Sequence, residues 1–413
     1  MKILFVHENY PAQFGQFGGW LRDQHGWDVA FATARKGLTP ENTRMRILPF
    51  EVHREPTEGV HPYAKDFEKA VIAGQGAARA FVAARDAGFQ PDIVMAHSGW
   101  GPGIYAKDIW PTAVYVPYFE WYYQYPPKDS VHLRTHNPNL NSKLYQRTRN
   151  APFWADIVEA DLGLVPTVFQ ADQFPAFFRD KLRVIHDGID VDMHAPDPEA
   201  RVDIAGIALP EGAEVLTFVT RGMEPHRGFP QFMRAVEALQ PLRPNLHVVI
   251  GGEDRVAYGD KNKDGEKSWK TKMLDELALD LSRIHFTGLL PRKDYVRLLQ
   301  ATDVHFYAST EFVLSWSMLE AMSVGCLLVA SDTAPVREFM TDGETGLLTD
   351  FHDVGRIVAT LEKALDERDD LTILGRHARA RIVNLYAAGK VWTEKKALLE
   401  SLVGAKALAE QAV

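Results

Sequence analysis

The stretch Phe312-Val-Leu-Ser-Trp-Ser-Met-Leu-Glu-Ala-Met-Ser-Val-Gly-Cys-Leu-Leu-Val-Ala-Ser-Asp-Thr-Ala-Pro-Val-Arg-Glu338 carries the reading of this chain. Ser315 and Ser317 open a short helix that holds Glu320 on its inner turn and stops at Gly325. An apolar strand follows over Leu327–Ala330, then a polar turn (Ser331, Asp332, Thr333) and a second helix opened by Pro335. A helix start offers backbone N–H groups and a partial positive charge, which suit a diphosphate. A carboxylate further along the helix suits vicinal hydroxyls such as those of a ribose. Phosphate and ribose together point to a nucleotide. The same pattern alone also describes an ordinary helix–strand–helix unit with a solvent-facing glutamate.

Outward from this unit, short apolar strands alternate with helical stretches along the whole chain. Ile3–His7, Asp28–Thr33, Met45–Phe50, Asp92–Ala96, Ala113–Pro117, Leu162–Val165 and Arg183–His186 read as strands. Tyr63–Ala87, Leu140–Glu159 and Val168–Phe177 read as helices. Continuous apolar runs are what strands covered on both faces require. The series restarts at Glu214–Thr220 and continues through Leu246–Gly251, Arg283–Phe286, Val304–Ala308 and Leu327–Ala330. Between the two series, Asp187-Gly-Ile-Asp-Val-Asp-Met-His-Ala-Pro-Asp-Pro198 has the composition of a linker. The expectation is an α/β chain of two doubly wound domains, with ligands at the carboxyl ends of the strands and a binding cleft between the domains. The tail from Val354 reads as almost wholly helical.

A length of 413 residues fits two domains, and 46% hydrophobic with 24% charged residues is ordinary globular composition. A net charge of -9 argues against a dedicated nucleic-acid binder. Cys326 is the single cysteine, so an internal disulfide framework and a multi-cysteine zinc site are excluded, and its apolar surroundings predict an inert buried thiol. No apolar run reaches the length of a signal peptide or membrane span. A cytoplasmic protein is expected, in contact with a membrane at its surface if at all.

Arg221-Gly-Met-Glu-Pro-His-Arg227-Gly follows the first strand of the second series. Two arginines there form a candidate pyrophosphate clamp, because the guanidinium fork matches phosphate oxygens and keeps its charge at any pH. Two solvated loop arginines would look the same in sequence. Near the N-terminus, His7-Glu-Asn-Tyr-Pro-Ala-Gln-Phe-Gly15-Gln-Phe-Gly-Gly19 is a glycine-rich turn that lets backbone approach a phosphate or sugar. It matches neither G-x-G-x-x-G nor a P-loop. His97 ends a strand before Ser98-Gly-Trp100-Gly, a placement that suits a cleft as well as a structural histidine. Tyr115-Val-Pro-Tyr-Phe-Glu120-Trp-Tyr122-Tyr-Gln-Tyr125 is dense in aromatics with one acid, a composition that suits sugar rings and equally a buried strand. Asp260-Lys-Asn-Lys-Asp-Gly265 imitates half of a calcium loop, but its twelfth position is Thr271 and two lysines dilute its charge, so it reads as a solvated loop. His132, Arg134, His136, Lys143, Arg147 and Arg149 make a modestly basic stretch, read as a solvated face with an anionic acceptor or lipid headgroups as the functional alternative.

Taken in order, Arg221…Arg227-Gly, Glu320-Ala-Met, Gly325, Ser331-Asp-Thr and Asp342-Gly-Glu-Thr-Gly-Leu-Leu resemble the nucleotide-sugar half of the family 4 retaining glycosyltransferases of GT-B fold. His7–Phe17 and Phe312-Val-Leu-Ser-Trp-Ser resemble a bacterial subgroup of that family. The resemblance implies an acceptor-binding Rossmann-like domain over 1–190, a nucleotide-sugar domain over 191–386, and terminal helices from about Ala387 that cross back to the first domain. It implies that a UDP- or GDP-sugar is the donor and that a glycan or lipid-linked glycan is the acceptor, as in polysaccharide biosynthesis. No metal or other cofactor is implied, because arginines and a helix dipole neutralise the leaving diphosphate.

By position, Arg221 and Arg227 would hold the diphosphate, with backbone around Ser315, Trp316 and Ser317 assisting. Glu320 would take the ribose, Leu289 would frame the base, and Gly15 and Gly222 would admit the donor to the backbone. His97 would help hold the donor sugar, while Trp100, Glu120 and Tyr122 are candidates for the acceptor. The family pattern places a sugar-binding glutamate where this chain has Phe312, and the adjacent Glu311 is expected to take over that contact. Two other classes stay open at this level, a nucleotide-sugar epimerase of the same fold and a non-catalytic sugar-binding module.

Overall fold

A seven-stranded, wholly parallel sheet forms the first half of the chain. Its strands are β1 (Lys2–Val6), β2 (Asp28–Thr33), β3 (Arg46–Pro49), β4 (Ile93–His97), β5 (Val114–Tyr118), β6 (Gly163–Val165) and β7 (Leu182–Val184), in the spatial order β3-β2-β1-β4-β5-β6-β7. The computed structural model describes residues 1–39, 43, 45–204, 206–259 and 267–411; the calcium-loop imitation at Asp260–Gly265 lies outside the described residues. After a short antiparallel pair, β8 (Asp203–Ile204) and β9 (Ile207–Ala208), a second parallel sheet follows. It comprises β10 (Glu214–Gly222), β11 (Leu246–Glu253), β12 (Ile284–Gly288), β13 (Val304–Tyr307), β14 (Leu328–Ser331) and β15 (Leu347–Thr349), in the order β12-β11-β10-β13-β14-β15. Each sheet therefore reverses its winding beside its first strand, at β1/β4 and at β10/β13, where the crevice of a doubly wound fold lies.

The chain divides into two compact units. The first holds Met1–Pro127, Asn137–Asp187 and the chain from Lys390 on, and the second holds Lys128–His136 and Gly188–Gly389. In the first, β1 contributes Ile3 and Phe5 to one core and Leu4 and Val6 to another, one on each face of the sheet. The last helix, Ala388–Gln411, adds Val391 and Leu399 to the core of Ile3 and Phe5. The second unit is layered likewise, with Leu216, Phe218 and Phe306 on one face and Leu328 and Ala330 on the other. Among the described residues, no helix is long and apolar enough to cross a membrane.

Three local expectations change. The helix expected over Leu140–Glu159 is two helices, Leu140–Thr148 and Ala151–Glu159. Asn150 breaks it: its amide accepts from Tyr123 N–H at 2.9 Å and donates to the Tyr123 and Gln146 carbonyls, and Pro152 opens the next helix. The helix expected over Val168–Phe177 is likewise split, into Val168–Ala171 and Ala176–Arg179, around Pro175. The segment Lys128–His136, placed by sequence in the first domain, belongs to the second unit. There Leu133 packs on the core, and the His132 ring lies 4.9 Å from those of Phe351 and His352. The basic stretch is thereby divided: Arg149 stays in the first unit, over the Tyr123 ring at 3.7 Å and beside Asp66 at 3.2 Å.

Candidate functional site

In the second unit a recess opens at the carboxyl end of β10 and β13, where strand order reverses. Phe218 to Arg221, Arg227, Tyr258, Tyr307, Ala308, Ser315 and Ser317 line it. The sequence builds it with glycine at a critical point. Gly228 has φ +68°, and a Cβ there would lie 2.5 Å from Ala308 Cβ, so only glycine lets the helix Phe229–Leu239 start this close to β13. Arg227, just before it, is buried, and its Nη1 donates to Ser309 Oγ at 2.9 Å. Its guanidinium also lies 4.9 Å from the Tyr258 ring centroid. Arg221 is exposed at the rim, so the two arginines differ: one is fixed by its surroundings and the other is open to solvent. Gly222 is buried, pressed against the Arg255 carbonyl.

The helix Trp316–Val324 points its start at the same recess, and Gly325 ends it with φ +86°. Ser315 is its N-cap and accepts from Ser317 N–H, while Ser317 Oγ donates to Ser315 Oγ at 2.9 Å. Ser315 N–H itself donates to the Tyr307 hydroxyl at 3.0 Å. The expected free donors at Ser315 and Ser317 are thus occupied, and what these residues present to the recess is chiefly hydroxyl groups. Burial, the largest influence, raises the Tyr307 phenol above its usual range, so it stays protonated.

Glu320 is buried one turn further on and is already held. Its Oε2 accepts from the Tyr295 hydroxyl and its Oε1 from Arg292 Nη2, both at 2.7 Å. His194 Nε2 stands 3.7 Å from Oε1, and His194 Nδ1–H donates to the Asp190 carbonyl at 2.8 Å. A carboxylate oxygen has two lone pairs, so vicinal hydroxyls would share Glu320 with these partners rather than have it alone. Glu311, expected to contact the sugar, accepts from Ala334 N–H at 3.1 Å at the start of the helix Ala334–Arg337, a bond that leaves its other lone pairs open. The physical reason is that this helix has no side-chain cap from Thr333, leaving an orphan donor that attracts a nearby carboxylate. Leu289 is exposed just after β12, and Trp316 is half-buried at the first helical position.

In the first unit the corresponding reversal point carries histidines. His97 ends β4, is 5% exposed, and donates from Nδ1 to the Ser98 carbonyl at 2.9 Å. Its Nε2 lies 3.4 Å from Glu120 Oε2. His7, directly after β1, meets the His97 ring edge-on at 4.8 Å. His7 Nδ1 accepts from Asn9 N–H at 2.8 Å, which places the ring proton on Nε2. Burial first, then the neighbouring His97, lowers the His7 pKa to about 3. Beneath them Asp156 accepts from Ser98 Oγ at 2.6 Å and from the Tyr115 hydroxyl at 2.5 Å, and burial lifts its pKa to about 6. Gly15 starts the helix Gly15–His25 against Pro11, and Trp100 is 49% exposed in the loop after His97. Tyr122, read as an acceptor residue, turns into the core of Phe119, Phe153, Phe174 and Phe178, where its hydroxyl accepts from Trp154 Nε1 at 3.1 Å. An aromatic side chain in a dense apolar run packs inward, which is the placement the structure gives it.

Residues 25–194 match the model described as "Glycosyl transferase family 4 group", and residues 201–381 match "Glycosyl transferases group 1". The chain belongs to the family 4 glycosyltransferases. The D-inositol 3-phosphate glycosyltransferase of Corynebacterium efficiens is 27% identical over 203 residues, covering 48% of this chain and 46% of that protein. The chain spans about half the length of the curated relatives it matches. Sucrose-phosphate synthase from Thermosynechococcus elongatus superposes with a TM-score of 0.74 at 16% identity, over 98% of this chain and 100% of that one. HepE of Anabaena, solved in complex with UDP-glucose, gives 0.69 at 15% identity over 97% and 100%. The fold is GT-B.

For this family 4 glycosyltransferase, the sequence reading brought Arg221, Arg227, Ser315 and Ser317 to one recess. It missed the groups that organise them. Glu224 is wholly buried and accepts from the N–H groups of Ala257, Tyr258 and Gly259. An acid between two arginines at a strand end carries no signal of its own. Arg292 and Tyr295 were also missed, although their spacing of three on one helix was the available signal for a shared partner. Cys326 is buried with its thiol pushed up to about 12 by burial, an inert group.

Proposed function

We propose that the protein is a retaining glycosyltransferase that moves a hexose-type sugar from a UDP- or GDP-sugar to a glycan or lipid-linked glycan acceptor. The recess at the β10/β13 reversal carries this reading, because Arg221, Arg227 and two serine hydroxyls at a helix start converge there. A nucleoside diphosphate is the leaving group that such a set of donors stabilises. HepE, bound to UDP-glucose, supports a nucleotide-sugar donor for this fold. In this reading the second unit holds the donor, with Arg227 as the fixed cation, Arg221 as a closing one, and Glu320 sharing the ribose. The first unit supplies the acceptor groups, with Glu120 and the exposed Trp100 as candidates, while His97 helps hold the donor sugar.

The acceptor hydroxyl attacks on the face from which the diphosphate leaves, and the departing phosphate oxygen takes its proton. The protein contributes positioning and charge stabilisation, with no enzymic nucleophile and no metal required. One cysteine, buried, accords with action in a reducing cytoplasm, with peripheral membrane contact where the acceptor is lipid-linked.

Supplying UDP- and GDP-sugars with and without a glycan acceptor tests this. Nucleoside diphosphate should appear only with acceptor, and the new linkage should keep the donor's anomeric configuration. Isomerised nucleotide sugar without release would make it an epimerase. Binding without turnover on any acceptor would make it a sugar-binding module.

A further inference from the structure

Beside the arginines, the recess is continued by an aromatic wall. The Tyr258 ring, which lies over Arg227, stands 5.5 Å from Phe312, and Phe312 meets His226 edge-on at 6.1 Å. Three features fix this wall. Glu224 accepts three successive backbone N–H groups of the loop carrying Tyr258, the closest from Gly259 at 2.8 Å. A Cβ at position 259 would lie 2.3 Å from His226 Nδ1, so a glycine is needed for the loop to settle. His226 is in turn anchored by Asp129, 3.2 Å from its Nε2. Tyr258 is therefore 42% exposed as a side chain while its backbone is pinned.

The carboxylates around the wall are engaged by protein groups, Asp129 standing 3.2 Å from His226 Nε2. Glu224 holds the loop, and Glu311 accepts from Ala334 N–H at 3.1 Å. A sugar attached to a diphosphate at Arg227 would meet ring faces and edges here. Apolar C–H and methyl groups are favoured against aromatic carbon, whereas a hydroxyl pressed there loses its water without a partner.

Resting on the donor-site reading above, we infer that Phe312, Tyr258 and His226 select a donor whose sugar carries an apolar edge, of the 6-deoxyhexose class. Phe312 is the specificity-determining residue. The fully hydroxylated hexose is disfavoured because its O6 would be desolvated against the wall.

Calorimetry with donor pairs differing only at C6 tests this: UDP-glucose against UDP-6-deoxyglucose, and GDP-mannose against GDP-6-deoxymannose, with UDP and GDP as references. In the pair that suits the site, wild type should bind the 6-deoxy member at least about tenfold more tightly, roughly one desolvated hydroxyl. Phe312→Glu should bring that ratio to one or below. Tyr258→Ala, at an exposed side chain, should reduce it and guards against a folding defect in the first variant. Equal binding or a preference for the 6-hydroxyl member in wild type would overturn the inference, as would a 6-deoxy preference intact in both variants. Should UDP and GDP themselves fail to bind, the donor reading falls and takes this one with it. If they bind and the ratio is flat, only this inference falls.

Discussion

Both sheets reverse strand order beside their first strand, and both place chemistry at that reversal, but of opposite electrical character. At β1/β4 the groups are His7 and His97, rings 4.8 Å apart, with His7 held neutral by burial. At β10/β13 they are Arg221 and Arg227, whose charge is permanent. The difference teaches that topology fixes where a doubly wound unit works, while side-chain type and burial fix what it can bind. Buried imidazole rings suit hydrogen bonds with a neutral polyol. An arginine pair suits a diphosphate.

The largest expected effect that would sharpen this comparison is the pH dependence that His7 gives the first unit, to be set against that of His305 in β13, whose pKa burial lowers to about 4. The folded His7 pKa of about 3 lies below the 6.5 of an unperturbed ring, so the unfolded chain takes up the proton first. Its contribution is present above pH 6.5 and is lost as pH falls toward 3, by roughly 5 kcal/mol at most. His7→Asn keeps an acceptor for Asn9 N–H but cannot titrate. Denaturant unfolding of that variant should therefore show a flatter acid limb than wild type. Asp156 works with the opposite sign: its folded pKa of about 6 exceeds the ordinary 3.8, so it costs stability as pH rises between those values. An acid limb unchanged in His7→Asn would mean His7 is not held neutral.

Next comes Glu320, which has both a structural and a ligand-facing account. Glu320→Gln should cost about 1–2 kcal/mol of stability, because Arg292 loses a charged partner that it meets at 2.7 Å. If Glu320 also takes the ribose, affinity should fall more for the ribonucleotide than for its 2′-deoxy analogue. Equal losses would leave only the anchoring role. The smallest effect is expected at Glu311. Glu311→Ala should lower thermal stability by no more than about 1 kcal/mol, as for a lost helix cap, and leave full-donor affinity unchanged. A severalfold loss of donor affinity would restore the sugar contact that the sequence suggested.

Which of these features were legible in advance follows from their physics. The strands of both sheets could be read because each is a continuous apolar run between turn residues, and Ser315 and Gly325 bounded their helix as cap chemistry dictates. β15 (Leu347–Thr349) was missed, three residues as at β6 and β7 but set directly after the polar, glycine-rich Asp342–Gly346 turn. Asn150 and Pro175 broke helices that apolar periodicity alone had joined. In the site, charged residues at strand ends announced themselves, but their partners did not. Glu224 serves three backbone groups of a loop about thirty residues away, and nothing local in the sequence records that. Lys128–His136 shows the same limit, since which core Leu133 joins is a tertiary fact.

The central claim is that the β10/β13 reversal binds a nucleoside diphosphate through fixed cationic charge. Calorimetric titration of UDP, GDP and the parent nucleosides into wild type, Arg227→Ala and His97→Ala tests it most directly. The account predicts that Arg227→Ala loses about 2–3 kcal/mol of affinity for the diphosphate that wild type binds, the scale of a charge-assisted contact, with nucleoside binding unchanged. It also predicts that His97→Ala binds that diphosphate as wild type does. Undiminished diphosphate affinity in Arg227→Ala, or its loss in His97→Ala instead, would contradict the account.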